Sequence, residues 1–423
     1  MSQPSPPAST EQDLGLGATL AAETMAPATA RPGVGMRSST AKGTVLPTFT
    51  GEGLVHRERP RYEVRKALGE GGMGQVALAH DHDIGRSVAI KQLYPEASSD
   101  AASLARFVEE IRTVGALEHP NIVPIHDVGV AEDGRYFFVM KHIEGETLEA
   151  IIEKLGAGDR AAVAKYTFTA RVEIMIGLLR ALDYAHAQGV VHRDLKPANV
   201  MVGRYGEVVL MDWGIAKLKQ GRADAASSAA PSSEAVSEDK AQGRARLFQT
   251  RHGSLVGTPA YMSPEQARGE NEAIDERSDL YSATVVFQEL VCLRHYLADK
   301  QTLEDMIRGV IEDPFRRRDY QFQAAGGQGL PPAELLHFLK SGMEKKPEDR
   351  FPSARAMIDR LENTLDGRVH VECPITFMKR GLREMGRMVD RHPILAATFL
   401  FCAVLGFLGS LFVVARALLL TRG

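Results

Sequence analysis

The sequence predicts an α+β chain folded in two lobes, a small antiparallel sheet and then a helical lobe, followed by one C-terminal transmembrane helix. Three observations lead there. Strand-like alternation is confined to the stretch after Tyr62, helical periodicity dominates after Gly145, and an uncharged apolar run fills Ile394–Ala415. Strands grouped ahead of helices argue for α+β rather than for alternating units around a parallel sheet.

Residues 1–60 are rich in Ala, Ser, Thr, Pro and Gly, with few bulky apolar side chains. Such a stretch buries too little surface to offset its ordering entropy, so it is expected to be a disordered tail. From Tyr62 the runs "YEVRKAL", "GQVALAHD" and "RSVAIKQL" alternate polar and apolar residues between Gly and Asp clusters, the pattern of antiparallel strands. Ser103–Leu117 places Phe107, Ile111, Val114 and Leu117 at helical spacing. Ile122–Val128 and Tyr136–His142 read as strands, Arg171–Gln188 and Leu280–Leu293 as helices. Gly221–Gln242 is small, polar and aperiodic, and marks a flexible insertion over about 220–248.

The run Ile394–Ala415 has the length a membrane crossing needs, about 20 apolar residues. Before it, 366–393 forms a basic juxtamembrane segment with Lys379, Arg380, Arg383, Arg387 and Arg391; after it, 416–423 is a short tail. The heavier basic flank places the preceding chain in the cytoplasm, as a single-pass protein of the cell membrane. Gly406 and Ser410 form a small-xxx-small pair through which two such helices could make a homodimer.

Composition excludes other classes. A net charge of −3 argues against a nucleic-acid partner. Cys292, Cys373 and Cys402 make no CxxC pair, so neither a disulfide framework nor a zinc site is indicated. No basic region precedes an apolar stretch at the N-terminus, so no signal peptide is expected.

Chemistry enters with Gly69-Glu70-Gly71-Gly72-Met73-Gly74-Gln75-Val76. A GxGxxG motif also marks dinucleotide-binding folds, but there it opens a helix, whereas here it lies between strands. Glycines let the backbone turn tightly over a polyphosphate and offer N–H groups without obstruction. Lys91 follows on the strand Val88-Ala89-Ile90-Lys91, and Glu110 lies on the amphipathic helix, from which it could reach back. Then come His192-Arg193-Asp194-Leu195-Lys196-Pro197-Ala198-Asn199 and Asp212-Trp213-Gly214.

Over about 62–365 this set resembles the eukaryotic-like (Hanks-type) protein kinases, in particular their bacterial serine/threonine branch. The resemblance implies the two-lobed protein kinase fold, ATP and Mg2+ as cofactors (Mn2+ as an alternative ion), protein substrates, and transfer of the γ-phosphoryl group to Ser/Thr, autophosphorylation included. It implies that Asp194 accepts the hydroxyl proton, that Lys196 neutralises charge on the moving phosphoryl group, and that Asn199 and Asp212 hold metal. Lys91 would meet the α and β phosphates, positioned by Glu110. Gly69, Gly71 and Gly74 would cover the phosphates. Leu68, Val76, Ala89 and Met201 would sandwich the adenine, with Met140 behind it and Lys141–Ile143 as the hinge. Glu265 would pair with Arg350, and Asp279 would anchor the catalytic loop. A pseudokinase scaffold binding partners at the membrane is the alternative, disfavoured because Lys91, Asp194, Asn199 and Asp212 are all present.

Three positions depart from the family pattern: Trp213 for phenylalanine, Lys141 for a frequent glutamate, and Ala283 for a frequent glycine. Trp213 is expected to fill the same apolar space beneath the Glu110 helix. The segment Asp212–Glu265 is long for this family, and Arg193 beside Asp194 suggests activation by phosphorylation at Thr250 or Ser254.

Overall fold

The computed structural model describes residues 36–38, 48–50, 53–55, 60–213, 217–218, 259–320, 327–368 and 374–391, with scattered positions between 397 and 410. The expected sites Thr250 and Ser254, the insertion at 220–248 and the tail 416–423 lie outside these residues.

The N-terminal lobe contains β1 (Met36–Ser38), a small hairpin of β2 (Thr48–Thr50) and β3 (Gly53–Val55), then β4 (Tyr62–Glu70), β5 (Gly74–Asp81), β6 (Arg86–Leu93), β7 (Ile125–Ala131) and β8 (Tyr136–Lys141). The order β1-β4-β5-β6-β8-β7 closes a barrel. Three short strands therefore lie in the segment expected to be disordered. At three residues each they are too short for alternation to register; β1 covers the open edge of β7, pairing Met36 with Ala131 and Ser38 with Gly129. Inside the barrel, Tyr62, Ala79, Val88, Ile90, Phe137 and Val139 form the core, the inward set that a period of two provides.

Helices α1 (Pro95–Ser99) and α2 (Ala101–Gly115) separate β6 from β7. Asp100 caps α2 by accepting from the Ser103 N–H at 2.8 Å. Phe107, Glu110 and Val114 are its buried residues, one face at i, i+3 and i+7. Below, β9 (Gly145–Thr147), α3 (Leu148–Gly156) and α4 (Arg160–Lys165) lead into α5 (Phe168–Ala187). With Val172, Ile174–Leu179, Ala181, Leu182 and Ala185 all buried, α5 is apolar around most of its circumference, and it forms the axis of the lobe. It packs against helices Glu276–Cys292 and Ala354–Leu365. The lobes are joined by His142–Glu144 and by Asn121–Val123, whose backbone bonds Leu210 from both sides.

The transmembrane expectation for Ile394–Ala415 is corrected: among the described residues no helix is long and apolar enough to cross a membrane. Among the described residues the last long helix is Pro374–Arg391, charged along its length. Of Ile394–Ala415 only separate positions fall within the described residues. Membrane anchoring, the single-pass orientation and the homodimer contact through Gly406 and Ser410 all rested on that span, and fall with it.

One buried group makes stability depend on pH. His295 accepts from the Leu297 N–H at Nδ1 (3.1 Å) and packs edge-on against Tyr261. Burial pulls its pKa from 6.5 down to about 4. Between these values the unfolded chain binds a proton that the folded chain does not, so stability falls as pH drops through the window. The loss reaches at most about 3 kcal/mol. Denaturant titrations at pH 7 and pH 4.5 will show this loss in the wild type and a smaller one in His295→Gln; equal losses would contradict the assignment.

Candidate active site

Lys91 connects two acidic groups that are remote in sequence. Its Nζ lies 2.7 Å from Glu110 Oε1 and 2.9 Å from Asp212 Oδ1. β6 delivers the lysine, in register with Val76 on β5 and Phe138 on β8. Glu110 comes from the buried face of α2 and is 5% exposed, which decides against a solvent-facing glutamate. Desolvation opposes the charge of Lys91, but the two carboxylates raise its pKa. Desolvation pushes Glu110 up, with Asp212 adding to it. Asp212 keeps an exposed side chain; partial desolvation opposes its ionisation, yet Lys91, Lys196 and His192 hold its carboxyl below the usual range.

The opposite wall is the loop after β10 (Val190–Val191). Lys196 Nζ donates to Asp194 Oδ2 at 2.8 Å. Asn199 Nδ2 donates to the Asp194 carbonyl at 2.9 Å, which fixes the amide and turns its Oδ1 the other way. Asn199 then opens a hairpin of β11 (Val200–Gly203) and β12 (Val208–Leu210), and Asp212 follows that hairpin. Because Val200 pairs with Leu210 and Met211 N–H bonds Asn199 C=O at 2.9 Å, the hairpin brings the two expected metal residues to one end. Asp212 and Arg193 both adopt left-handed backbone, at φ 60° and 70°. Non-glycine residues held there cost on the order of 1–3 kcal/mol each, and such strain gathers at functional sites.

Two supports hold this loop from below. Asp279, fully buried, accepts from the His192 and Arg193 N–H groups at 2.8 and 2.9 Å, and from His186 Nε2 at 2.8 Å. Although desolvation disfavours its charge, these partners hold its carboxyl below the ordinary range. Gln266 Nε2 donates to Arg193 C=O at 2.8 Å from the short helix Pro264–Arg268, where Gln266 also completes a capping box with Ser263. That helix carries Glu265, which Arg350 grips through two bonds of 2.9 Å and Ser278 through one of 2.6 Å. Trp213 is 1% exposed, lies against His192 (ring centroids 4.6 Å apart), and shares a buried cluster with Val114 of α2.

Between the walls lie the expected nucleotide-lining residues. Ala89 is buried and opposes Met140 in register; Val76, Met140 and Met201 are half-buried, Leu68 is exposed, and Ile143 is buried in the connection between lobes. Leu68 to Met140 thus come from the sheet and Met201 from β11 beneath it. A Cβ on Gly74 would meet Gln92 O at 2.1 Å, so the β5–β6 contact itself demands glycine there. Gly69 has nothing within 4 Å and Gly71 only Gly74 O at 3.7 Å. Protein packing does not explain those two.

The family described as the protein kinase domain matches residues 62–360. This chain belongs to the protein kinase family. A probable serine/threonine-protein kinase of Streptomyces coelicolor is 33% identical over 310 residues, covering 73% of this chain and 40% of that protein. The serine/threonine-protein kinase PknD of Protochlamydia amoebophila is 32% identical over 74% of this chain and 30% of its own length. A probable serine/threonine-protein kinase PknB of Bifidobacterium longum is 37% identical over 55% and 30%. The chain thus spans less than half the length of these curated relatives.

Several residues of the kinase site had no separate role in the sequence reading. The capping-box spacing of Ser263 and Gln266 was visible, but not that the glutamine would also reach Arg193. His186 carries no local signal: it sits on the exit of α5 and meets Asp279 only because two helices cross there. The shared pairing of Lys91 with Asp212 likewise depends on lobe placement.

Proposed function

We propose that this chain transfers the γ-phosphoryl group of ATP to serine and threonine hydroxyls of proteins, with the kinase domain occupying 62–365. The observation that carries the proposal is the facing arrangement of Lys91, Glu110 and Asp212 against Asp194, Lys196 and Asn199. Phosphoryl transfer asks a protein mainly to position the reactants and neutralise charge. Asp194 orients the acceptor hydroxyl and takes its proton as the oxygen attacks phosphorus and the bond to the ADP oxygen breaks. Lys196, bonded to Asp194, neutralises charge on the phosphoryl group in transfer. Lys91 exchanges its bond to Asp212 for the α and β phosphates, while Glu110 keeps it in place.

The donor set fits magnesium. An ionised Asp212 and the free amide oxygen of Asn199 are hard oxygen ligands of the kind that ion prefers. When bound, magnesium would supply charge neutralisation for the phosphoryl group in transfer. The serine/threonine assignment draws on the "DLKPAN" run and on the printed names of the relatives.

The test is incubation of the full chain with γ-labelled ATP, magnesium and a generic protein substrate, followed by phosphoamino-acid analysis. Label on serine or threonine, lost on chelation, is expected; bound ATP with no transfer would overturn the proposal. Lys91→Met will also lose transfer, because the ammonium that meets the phosphates is gone while its neutral replacement still fills the site. Full activity in that variant would remove Lys91 from the mechanism.

A further inference from the structure

We infer that Met73 and Tyr94 are positioning residues for the nucleotide: they fasten the glycine-rich turn Gly69–Gly74 to the flank of α2 and so hold it over the phosphates. The inference rests on the proposed reading of this site as one for ATP. Four of the six residues of the turn are glycine. Such a turn has little stiffness of its own, because glycine gives up the most backbone freedom on ordering. Gly69 and Gly71 have almost nothing packed against them, so the hold must come from other residues. Met73 is the bulky apolar side chain of the turn.

Met73 is half-buried against the cluster of Leu93, Phe107 and Phe138, on which Leu104 and Ile111 of α2 also pack. Phe107 lies three residues before Glu110 and shares its buried face of α2. Phe138 stands opposite Lys91 in register, with Lys91 Nζ 5.8 Å from its ring centroid. One side chain thus ties the turn to the elements that carry both Lys91 and Glu110. Tyr94, which follows β6, adds two further ties. Its N–H donates to Met73 C=O at 3.0 Å, while Gly71 N–H closes the turn onto Gly74 C=O at 2.8 Å. Burial raises the pKa of its phenol, and so does the Glu70 carboxylate, to which the hydroxyl donates. That bond also occupies an exposed carboxylate at the edge of the turn, whose charge would otherwise repel phosphate.

The test measures binding of ADP and of adenosine to the full chain by calorimetry, both with magnesium, beside kcat and KM for ATP. The turn serves the phosphates, whereas the flanking Leu68 and Val76 serve the base. Met73→Ala and Tyr94→Phe should therefore each weaken ADP about three- to tenfold, the worth of one modest contact or hydrogen bond. KM for ATP should rise by the same factor, with kcat and adenosine affinity changed less than about twofold. Met73→Leu keeps the apolar contact and should bind ADP within about twofold of the wild type. Equal losses of ADP and adenosine would mean a site loosened as a whole, and would overturn the inference. So would ADP affinity unchanged in Met73→Ala and Tyr94→Phe, or lost as fully in Met73→Leu as in Met73→Ala. A wild type that binds neither ligand would overturn the ATP reading itself, and the inference with it.

Discussion

Asp194→Asn will reduce phosphoryl transfer by about 10²–10⁴-fold, the range that a positioned general base contributes, while nucleotide still binds. The carboxylate is held from two directions: Lys196 donates to its Oδ2, and Asn199 tethers its backbone carbonyl. Asparagine keeps the size of the side chain and can accept the Lys196 bond, so the loop should keep its shape. What it cannot do is take a proton from an incoming hydroxyl. The prediction separates the two proposed walls of the site, because Lys91, Glu110 and Asp212 are left untouched. Single-turnover transfer and nucleotide binding on the same preparation provide the check. A variant retaining a tenth or more of the wild-type rate would show that Asp194 is not the base.

The largest stability effect will come from Arg350→Met. The guanidinium is buried, reaches both oxygens of Glu265, and donates besides to the carbonyls of Arg277, Glu344 and Lys345. Desolvation pushes the Glu265 carboxyl up, but Arg350 and Ser278 outweigh it and hold the group below its usual range. Removing the arginine leaves a buried carboxylate without its counter-ion, a loss of about 3–5 kcal/mol. Replacing both partners removes the stranded charge, so Glu265→Leu with Arg350→Met should be less destabilised than the single change predicts. Denaturant midpoints of the four proteins in that cycle measure the difference. Strict additivity would mean that the pair contributes through packing alone.

Elements with long periodic signals agree with the sequence reading to within a few residues. The helix expected at Arg171–Gln188 is Phe168–Ala187, and that expected at Leu280–Leu293 is Glu276–Cys292, ended by Leu293 at φ 53°. The pair of Glu265 with Arg350 and the anchoring role of Asp279, which join residues 85–87 apart, were expected only because the resemblance to the kinase family implied them. Less legible were interactions made by single side chains across distant elements, such as His186 with Asp279 and Gln266 with Arg193. The C-terminal reading shows a different error. Hydropathy drew attention to Ile394–Ala415, while the helix before it was treated only as a basic flank.

The sequence by itself determined the α+β order of strands before helices and the kinase family, because residue type and short spacing carry that information. Only the tertiary structure decided that Glu110 faces inward, that Lys91 bridges two carboxylates, and that β1 joins the sheet. It alone settled which side of helix Pro374–Arg391 is engaged and which is exposed. The reason is physical: a side chain's partner is chosen by how whole lobes and helices pack, and that packing sums many weak contacts between segments remote in sequence.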